Sequence, residues 1–471
     1  MPKSLKIAGG VVVLLVIVLV AALLFVRANV SKATIEAAAS EAMGMEVKVG
    51  GRVTTGIFPT LHVTLQDVQI RNRGADVATA GDAQVWIDFL PLLRKELRIG
   101  KIALSHGWIS IERNRDGKFN FEKPEAAGVA LPALDLTSVS ISDATLRYAN
   151  KQSGETFEAR RCRLDMHRLL LLPGAIPDLM KRLSITADLA CGEFQKNDLM
   201  ISNLKVSADG KNGVFHLVPV TMQLFGAQGS GSIEVDFSKA VSLYNVHYSL
   251  PQFHIEEFFK TQSPRKVAAG PMDFEASLTM QGNTIHEMRQ SMTGQISLRG
   301  NDLTLQGTDL DREFSQYAAS QKFNLVDGGA FFFAGPLGLV VTKGYDFAGI
   351  FKGSGGSSDI RTLVSDWSIE HGVAQAQDVA FATNRNRMAL QGGLDFVNNR
   401  FVDVTTALID GKGCAKVRQK IHGTFEKPVV DQPSFLESLA GPALKLLKKG
   451  RDVFPGGECE VFYAGSVAPP K

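Results

Sequence analysis

Ile99-Gly100-Lys101-Ile102-Ala103-Leu104-Ser105-His106-Gly107-Trp108-Ile109-Ser110-Ile111 reads as a short strand, a small residue and a second strand. Ile102 and Leu104, then Ile109 and Ile111, alternate with smaller or polar neighbours, which gives each strand one apolar face. The pattern returns 37 residues on: Ile102, Leu104, Gly107, Ile109, Ile111 and Gly117 map onto Val139, Ile141, Ala144, Leu146, Tyr148 and Gly154. A repeat of this length suggests that one supersecondary unit is stacked on itself. The same alternation appears at Leu61, Val63 and Leu65, at Val85, Ile87 and Phe89, and at Ile233, Val235 and Phe237. It recurs at Met272, Phe274, Ala276, Leu278 and Met280. Turn signals separate the runs at Asp116-Gly117, Asp209-Gly210, Asp327-Gly328 and Asn398-Asn399.

The predicted fold is therefore mainly β: an elongated, curved antiparallel sheet, as a groove or open sandwich, with a few short helices. Helices are expected at Ser31–Met43 with Gly44 as the stop, and at Ile255–Lys260, Thr284–Ser291 and Leu310–Ser320. An amphipathic helix with a cationic face is expected over Ser434–Lys449, and a frayed tail over Ala464–Lys471. Glu122–Ala133 and Gly353–Ser358 read as linkers. With helices this scarce, the apolar strand faces must be covered by another sheet, by the sheet itself or by a ligand.

Composition agrees with a β protein. The chain has 471 residues, 45% hydrophobic and 21% charged, with 45 Gly. Its 28 Phe against 6 Tyr and 3 Trp call for wholly apolar surroundings, a core or a greasy ligand. A net charge of +3 argues against nucleic acid as a partner, which requires a concentrated basic face.

Ile7–Val26 is uncharged and nearly all Val, Leu, Ile or Ala, long enough as a helix to cross a bilayer. Lys3, Lys6 and the amino terminus precede it; Arg27 and Lys32 follow, diluted by Glu36 and Glu41. The positive-inside rule favours residues 1–6 in the cytoplasm and an exported body. A signal peptide cleaved near Val26-Arg27-Ala28 is the competing reading, disfavoured by the length of the apolar run. Cys162, Cys191, Cys414 and Cys459 contain no C-x-x-C pair. In an oxidising compartment they form up to two disulfides, in any of three connectivities, the most local being 162–191 with 414–459; reduced buried cysteines are the alternative.

No catalytic site, metal site or cofactor is expected. P-loop, dinucleotide and nucleophile-elbow motifs are missing. His286-Glu287 begins a zinc-protease pattern, but Gln290 stands where the second histidine belongs. Glu112, Asn114, Asp116 and Gly117 mimic part of a calcium loop, yet Lys123 occupies the position of its bidentate carboxylate, so a hairpin is the expectation.

Two blocks resemble the AsmA-like family of Gram-negative envelope proteins. The first runs from Gly44 through Val49-Gly50-Gly51, Phe58-Pro59 and Leu65-Gln66-Asp67-Val68-Gln69-Ile70-Arg71-Asn72. It continues with Leu90-Pro91-Leu92-Leu93, Ile99-Gly100-Lys101-Ile102 and Arg113-Asn114-Arg115-Asp116-Gly117-Lys118-Phe119-Asn120. The second holds Ser291–Ile296, Leu303–Leu310 and Ile421–Pro428. The resemblance implies an inner-membrane anchor at 7–26 and a periplasmic body divided as 31–156, 157–271 and 272–431, with 432–471 as helix and tail. It also implies kinship with bridge-like lipid-transfer proteins and a part in phospholipid transport or outer-membrane biogenesis.

On that reading the partners are phospholipid acyl chains, the inner membrane and an envelope protein. Some 20–25 strands at about 4.8 Å would make a groove on the order of 100–120 Å long, short for bridging an envelope unaided. Candidate lining residues are Leu61, Val63, Leu65, Ile102, Leu104, Ile109, Ile111, Val139, Ile141, Met272, Phe274 and Leu278; ordinary core is the alternative for each. A scaffold that modulates outer-membrane protein assembly by strand addition is the competing function.

Overall fold

In the computed structural model the described residues are 32–56, 60–88, 91, 99–121, 130–131, 134–175, 178–196, 199–261, 268–320, 355–432, 434–435, 459 and 461–470. They fall into two compact units. Unit 1 takes residues up to Gln223 with Ser230–Tyr244, and unit 2 takes Leu224–Gly229 with Asn245 onward. The apolar segment 7–26 and residues 92–98 lie outside the described residues. No helix among the described residues is long and apolar enough to cross a membrane.

Unit 1 opens with helix α1 (Lys32–Met43), which ends where Gly44 takes φ +64°. Its strands are β1 (Glu46–Val49), β2 (Val53–Gly56), β3 (His62–Asn72), β4 (Ala75–Ile87), β5 (Ile99–Ser105) and β6 (Trp108–Arg113). There follow β7 (Ala130–Leu131), β8 (Leu134–Leu136), β9 (Ser138–Asn150), β10 (Thr156–Leu171) and β11 (Gly174–Ala175). After the short helix α2 (Leu179–Arg182) come β12 (Leu183–Lys196), β13 (Leu199–Lys211) and β14 (Val214–Leu224), then residues 230–236 of β15 (Ala227–Asp236). β1 and β2 lie end to end on β3, and β5 and β6 lie end to end beside β4. Next comes β9, followed by β10, β12, β13 and β14, each of these four antiparallel to the one before.

The expectation of an antiparallel sheet is corrected at one seam, because β5 and β6 run parallel to β9. Here the 37-residue repeat acquires a physical meaning. Ile102 pairs with Val139, Leu104 with Ile141, Ile109 with Leu146 and Ile111 with Tyr148. The two copies are side-by-side strands in parallel register, so equivalent residues point the same way and pack together. Within unit 1 the sheet is mixed.

A row of bulges crosses this sheet. Asp67, His106, Asp143, Arg161 and Asn203 all have positive φ, between 51° and 53°. Pairing of Gln66 with Asp82 and Val68 with Ala80 sets Asp67 opposite Gly81, and a side chain on Gly81 would sit 3.2 Å from His106 Cβ. Ser105 pairs with Ser142, which carries the row to Asp143; Cys191 pairs with Leu204 and Glu193 with Ser202, which sets Gly192 opposite Asn203. Arg161 lies against Gly192. Each bulge bends its strand and adds twist, so aligned bulges bend the sheet of unit 1 along one line. They also flip side-chain parity: Val63 and Leu65 give way to Val68 and Ile70 on the same buried face.

Unit 2 contains residues 245–254 of β16 (Leu243–His254), helix α3 (Ile255–Lys260), β17 (Ala268–Ala269), β18 (Pro271–Gln281), helix α4 (Ile285–Ser291), β19 (Thr293–Gln306) and helix α5 (Leu310–Ser320). Strands β20 (Ser357–Glu370), β21 (Val373–Ala382), β22 (Arg387–Asp395), β23 (Arg400–Ile409) and β24 (Ala415–Gly423) follow. β18 to β24 pair in chain order, all antiparallel, and β24 also pairs with β25 (Pro428–Val430) and β26 (Ser434–Phe435). His286-Glu287 has a structural role: the Glu287 N–H donates to Thr284 Oγ1 at 3.2 Å while its carboxylate accepts from the Thr284 N–H, a capping box on α4.

Gly392 in β22 lies against the backbone of β23 with no room for a side chain. It has φ +108°, and a Cβ there would lie 2.5 Å from the Asp403 carbonyl oxygen and 2.6 Å from Val404 Cα. Gly392→Ala is therefore expected to cost unit 2 about 2–4 kcal/mol, combining backbone strain with a forced strand separation. A urea titration read by Trp367 fluorescence, with Trp86 and Trp108 replaced by Phe, checks it.

Three local expectations are corrected. Asp209-Gly210 lies inside β13, and the chain turns instead at Asn212-Gly213, where both residues have positive φ. Ser434–Phe435 are strand, and the rest of the expected helix to Lys449 lies outside the described residues. The tail is not frayed: residues 461–470 dock on unit 2, and Val467 is 1% exposed. Phe462 and Tyr463, just ahead of the stretch expected to fray, supply the apolar surface that holds it.

Candidate functional site: an apolar trough in unit 1

The apolar face of unit 1 changes character along the sheet. Near α1 it is sealed: Val63, Val85, Ile102 and Val139 are fully buried in one cluster with Ile35 and Ala39 of the helix. Further on, Leu146, Phe157, Leu164, Leu189, Phe194 and Leu204 are only partly buried. Scarcity of helices explains the change, since no described helix lies along β10 to β13 as α1 lies along β1.

These half-covered side chains line a trough of about 470 Å³. Ile109 and Ile141 form one wall, and the pairs Leu164–Leu189 and Ala159–Phe194 on β10 and β12 form the floor. Tyr148 stacks on Phe157 at 4.9 Å between ring centres, and Phe157 on Phe194 at 5.5 Å, so an aromatic row crosses three strands. The Cys162–Cys191 disulfide lies in the lining, between residues directly opposite in register. Lys196 and Glu155 are the charged residues of the lining, 3.9 Å apart and both partly exposed. A surface pair of this kind contributes little to stability, so its effect is to mark one end of the trough as polar.

Of the residues singled out by alternation, Ile109 and Ile141 reach the trough. Val63, Leu65, Ile102, Leu104, Ile111 and Val139 are buried core, with Leu61 packed on its edge. Met272 and Phe274 are buried in unit 2 opposite Gly300 and Leu298, and Leu278 is half-buried opposite Gly294. The lining on β10, β12 and β13 escaped sequence reasoning because each strand changes parity at its bulge. On β10 the inward set is Phe157 and Ala159, then Cys162, Leu164 and Met166. A period-two test that restarts at Arg161 and Gly192 would have found it.

The Cys162–Cys191 bond closes a loop of sequence separation 29. By the chain-entropy argument, replacing both with Ser costs unit 1 about 3–4 kcal/mol. A lowered urea midpoint for unit 1, with that of unit 2 unchanged, is the expected result.

Two other hollows are polar. One in unit 1, about 610 Å³, holds Lys101, Arg163, Asp165, His167 and Asp188. There the Ser207 hydroxyl donates to Asp188 at 2.6 Å and His167 Nε2 lies 3.0 Å from the same carboxylate; these bonds hold the Asp188 carboxyl below its ordinary pKa. The carboxylate stands between imidazole and hydroxyl, an order that does not activate the serine as a nucleophile. The other, about 540 Å³ in unit 2, is dominated by the ion pair of Arg299 with Asp366 at 2.7 Å. Among the described residues no group of three or more His, Cys, Asp or Glu is placed to hold a metal ion.

Residues 1–170 and 178–378 match the AsmA family. The chain belongs to the AsmA family. The match spans both sealed and open parts of the unit 1 sheet and continues into unit 2 through β20. AsmA membership places the protein among envelope-associated proteins of bacteria linked in general to lipid transport or outer-membrane assembly. No curated protein and no solved structure matches the chain.

Proposed function

We propose that this AsmA protein is anchored in the inner membrane by residues 7–26, exposes its body to the periplasm, and holds phospholipid acyl chains in the unit 1 trough. It acts by binding and not by catalysis, serving phospholipid transport or outer-membrane biogenesis. The observation that carries the reading is the lining of the trough: leucines and aromatic rings left half-exposed, with charge at one end only. Water is a poor occupant of such a surface, and each methylene moved onto it gains about 0.8 kcal/mol. Lys196 and Glu155 would then lie where a polar headgroup meets the protein. Two disulfides support an oxidising compartment.

A photo-crosslinking residue at position 164 of the full-length protein in phospholipid vesicles tests this. Crosslinks to phospholipid from position 164, with none from the outward-facing position 160, are the expected result. Crosslinks to protein alone from position 164 would favour the scaffold.

A further inference from the structure

The C-terminal segment is bound in the manner of a peptide ligand. Phe462, Tyr463 and Val467 cover a floor of small side chains on β20 to β24, chiefly Ala380, Ala382, Ala389 and Ala407. The floor is shallow because the residues are alanines, and the two rings fill the space that larger side chains would otherwise take.

Polar contacts fix the segment. The Tyr463 hydroxyl donates to Asp378 and accepts from the Val467 N–H at 3.0 Å. Burial, together with the Asp378 carboxylate, holds this phenol far above its ordinary pKa, so it stays a donor. Asp378 also accepts from the N–H and hydroxyl of Ser466, at 2.9 and 2.6 Å. Arg387, 5% exposed, donates to the Val467 carbonyl at 2.8 Å, and Gln391 donates to the Phe462 carbonyl at 2.7 Å. Backbone N–H groups of Phe462 and Tyr463 both donate to the Gly413 carbonyl. A side chain at Gly413 would lie 2.0 Å from the Tyr463 carbonyl oxygen, so only glycine admits this approach.

One covalent bond ties the segment down at its start, Cys414–Cys459. The two disulfides differ in access. Cys162 and Cys191 are both buried, whereas Cys459 is exposed and its partner Cys414 is buried. We propose that the alanine-floored face of β20 to β24 is a peptide-recognition site for the chain's own Phe462–Val467 segment, and that a dithiol reductant releases the segment by opening Cys414–Cys459.

The chemistry is two-step exchange. A reductant thiolate attacks the exposed Cys459 sulfur, forming a mixed disulfide while Cys414 leaves as thiolate and takes up a proton. The second reductant thiol, deprotonated, then closes the reductant's own disulfide and expels Cys459 as thiolate, which is protonated in turn. The reductant loses two electrons and the protein gains two thiols. Losing a covalent tether weakens the retained segment's hold by lowering its effective concentration at the site.

Amide hydrogen exchange on the full-length protein tests both halves. In the oxidised protein the amides of Phe462, Tyr463 and Val467 are expected to be protected. In Cys459→Ser they exchange about tenfold faster or more, while β21 and β22 keep their protection. Low concentrations of dithiothreitol on the wild type are expected to reproduce this before Cys162–Cys191 opens. Tyr463→Phe, with the disulfide intact, speeds exchange at Val467 specifically. Unprotected amides in the oxidised protein would overturn the site, and unchanged protection in Cys459→Ser or after reduction would overturn the release. If Cys459→Ser does not fold, the dithiothreitol arm on the wild type decides.

Discussion

Ile102→Asp unfolds unit 1. The side chain is fully buried, flanked by Val85 on one strand and Val139 on the other, in a cluster without a cation to receive a carboxylate. The substitution removes a large apolar side chain and puts an unpaired charge in its place, a combination expected to cost more than about 4 kcal/mol. Circular dichroism should show loss of β signal, and limited proteolysis should cut within residues 60–200. The parallel seam makes the effect wide, because the damage reaches β4, β5 and β9 at once.

Leu164→Asp combined with Leu189→Asp behaves in the opposite way. These two residues face each other across β10 and β12 and are only partly buried, so water reaches both carboxylates. The sheet is expected to persist with a modest loss of stability, about 1–2 kcal/mol, part of it from like charges directly opposite. Lipid binding is expected to fall by at least about a hundredfold, since a chain lying on the floor would have to desolvate two carboxylates. Uptake of a fluorescent phospholipid from vesicles, measured beside circular dichroism, checks both halves. The pair of results separates core from trough: aspartate in one abolishes the fold, and in the other it abolishes the ligand.

Much of the sheet was legible because alternation is a direct readout of which face is dry. The repeat from Ile102 to Tyr148 was visible as a subtraction, but its meaning as a parallel register was not, since sequence spacing carries no strand direction. Helices α1, α3, α4 and α5 showed through their local capping and periodicity. What hid the trough was the crease. Asp67, Arg161 and Asn203 each insert one left-handed residue, and after it the inward set moves from odd positions to even or back. Strict period-two counting therefore halts where the sheet bends, and it favoured short clean runs such as Val63 to Leu65, which are the sealed core. The docked tail was hidden for another reason: Ala464-Gly465-Ser466 is turn-like by composition, and its order comes from partners in β21 and β22 some 80 residues away.

Native mass spectrometry of the full-length protein, purified in a gentle detergent and followed by lipid extraction, decides whether the trough carries lipid. Phospholipid is expected on the wild type and not on the Leu164→Asp, Leu189→Asp variant, with both proteins folded. A folded wild type that carries no phospholipid, and takes none from vesicles, would contradict lipid binding in the trough.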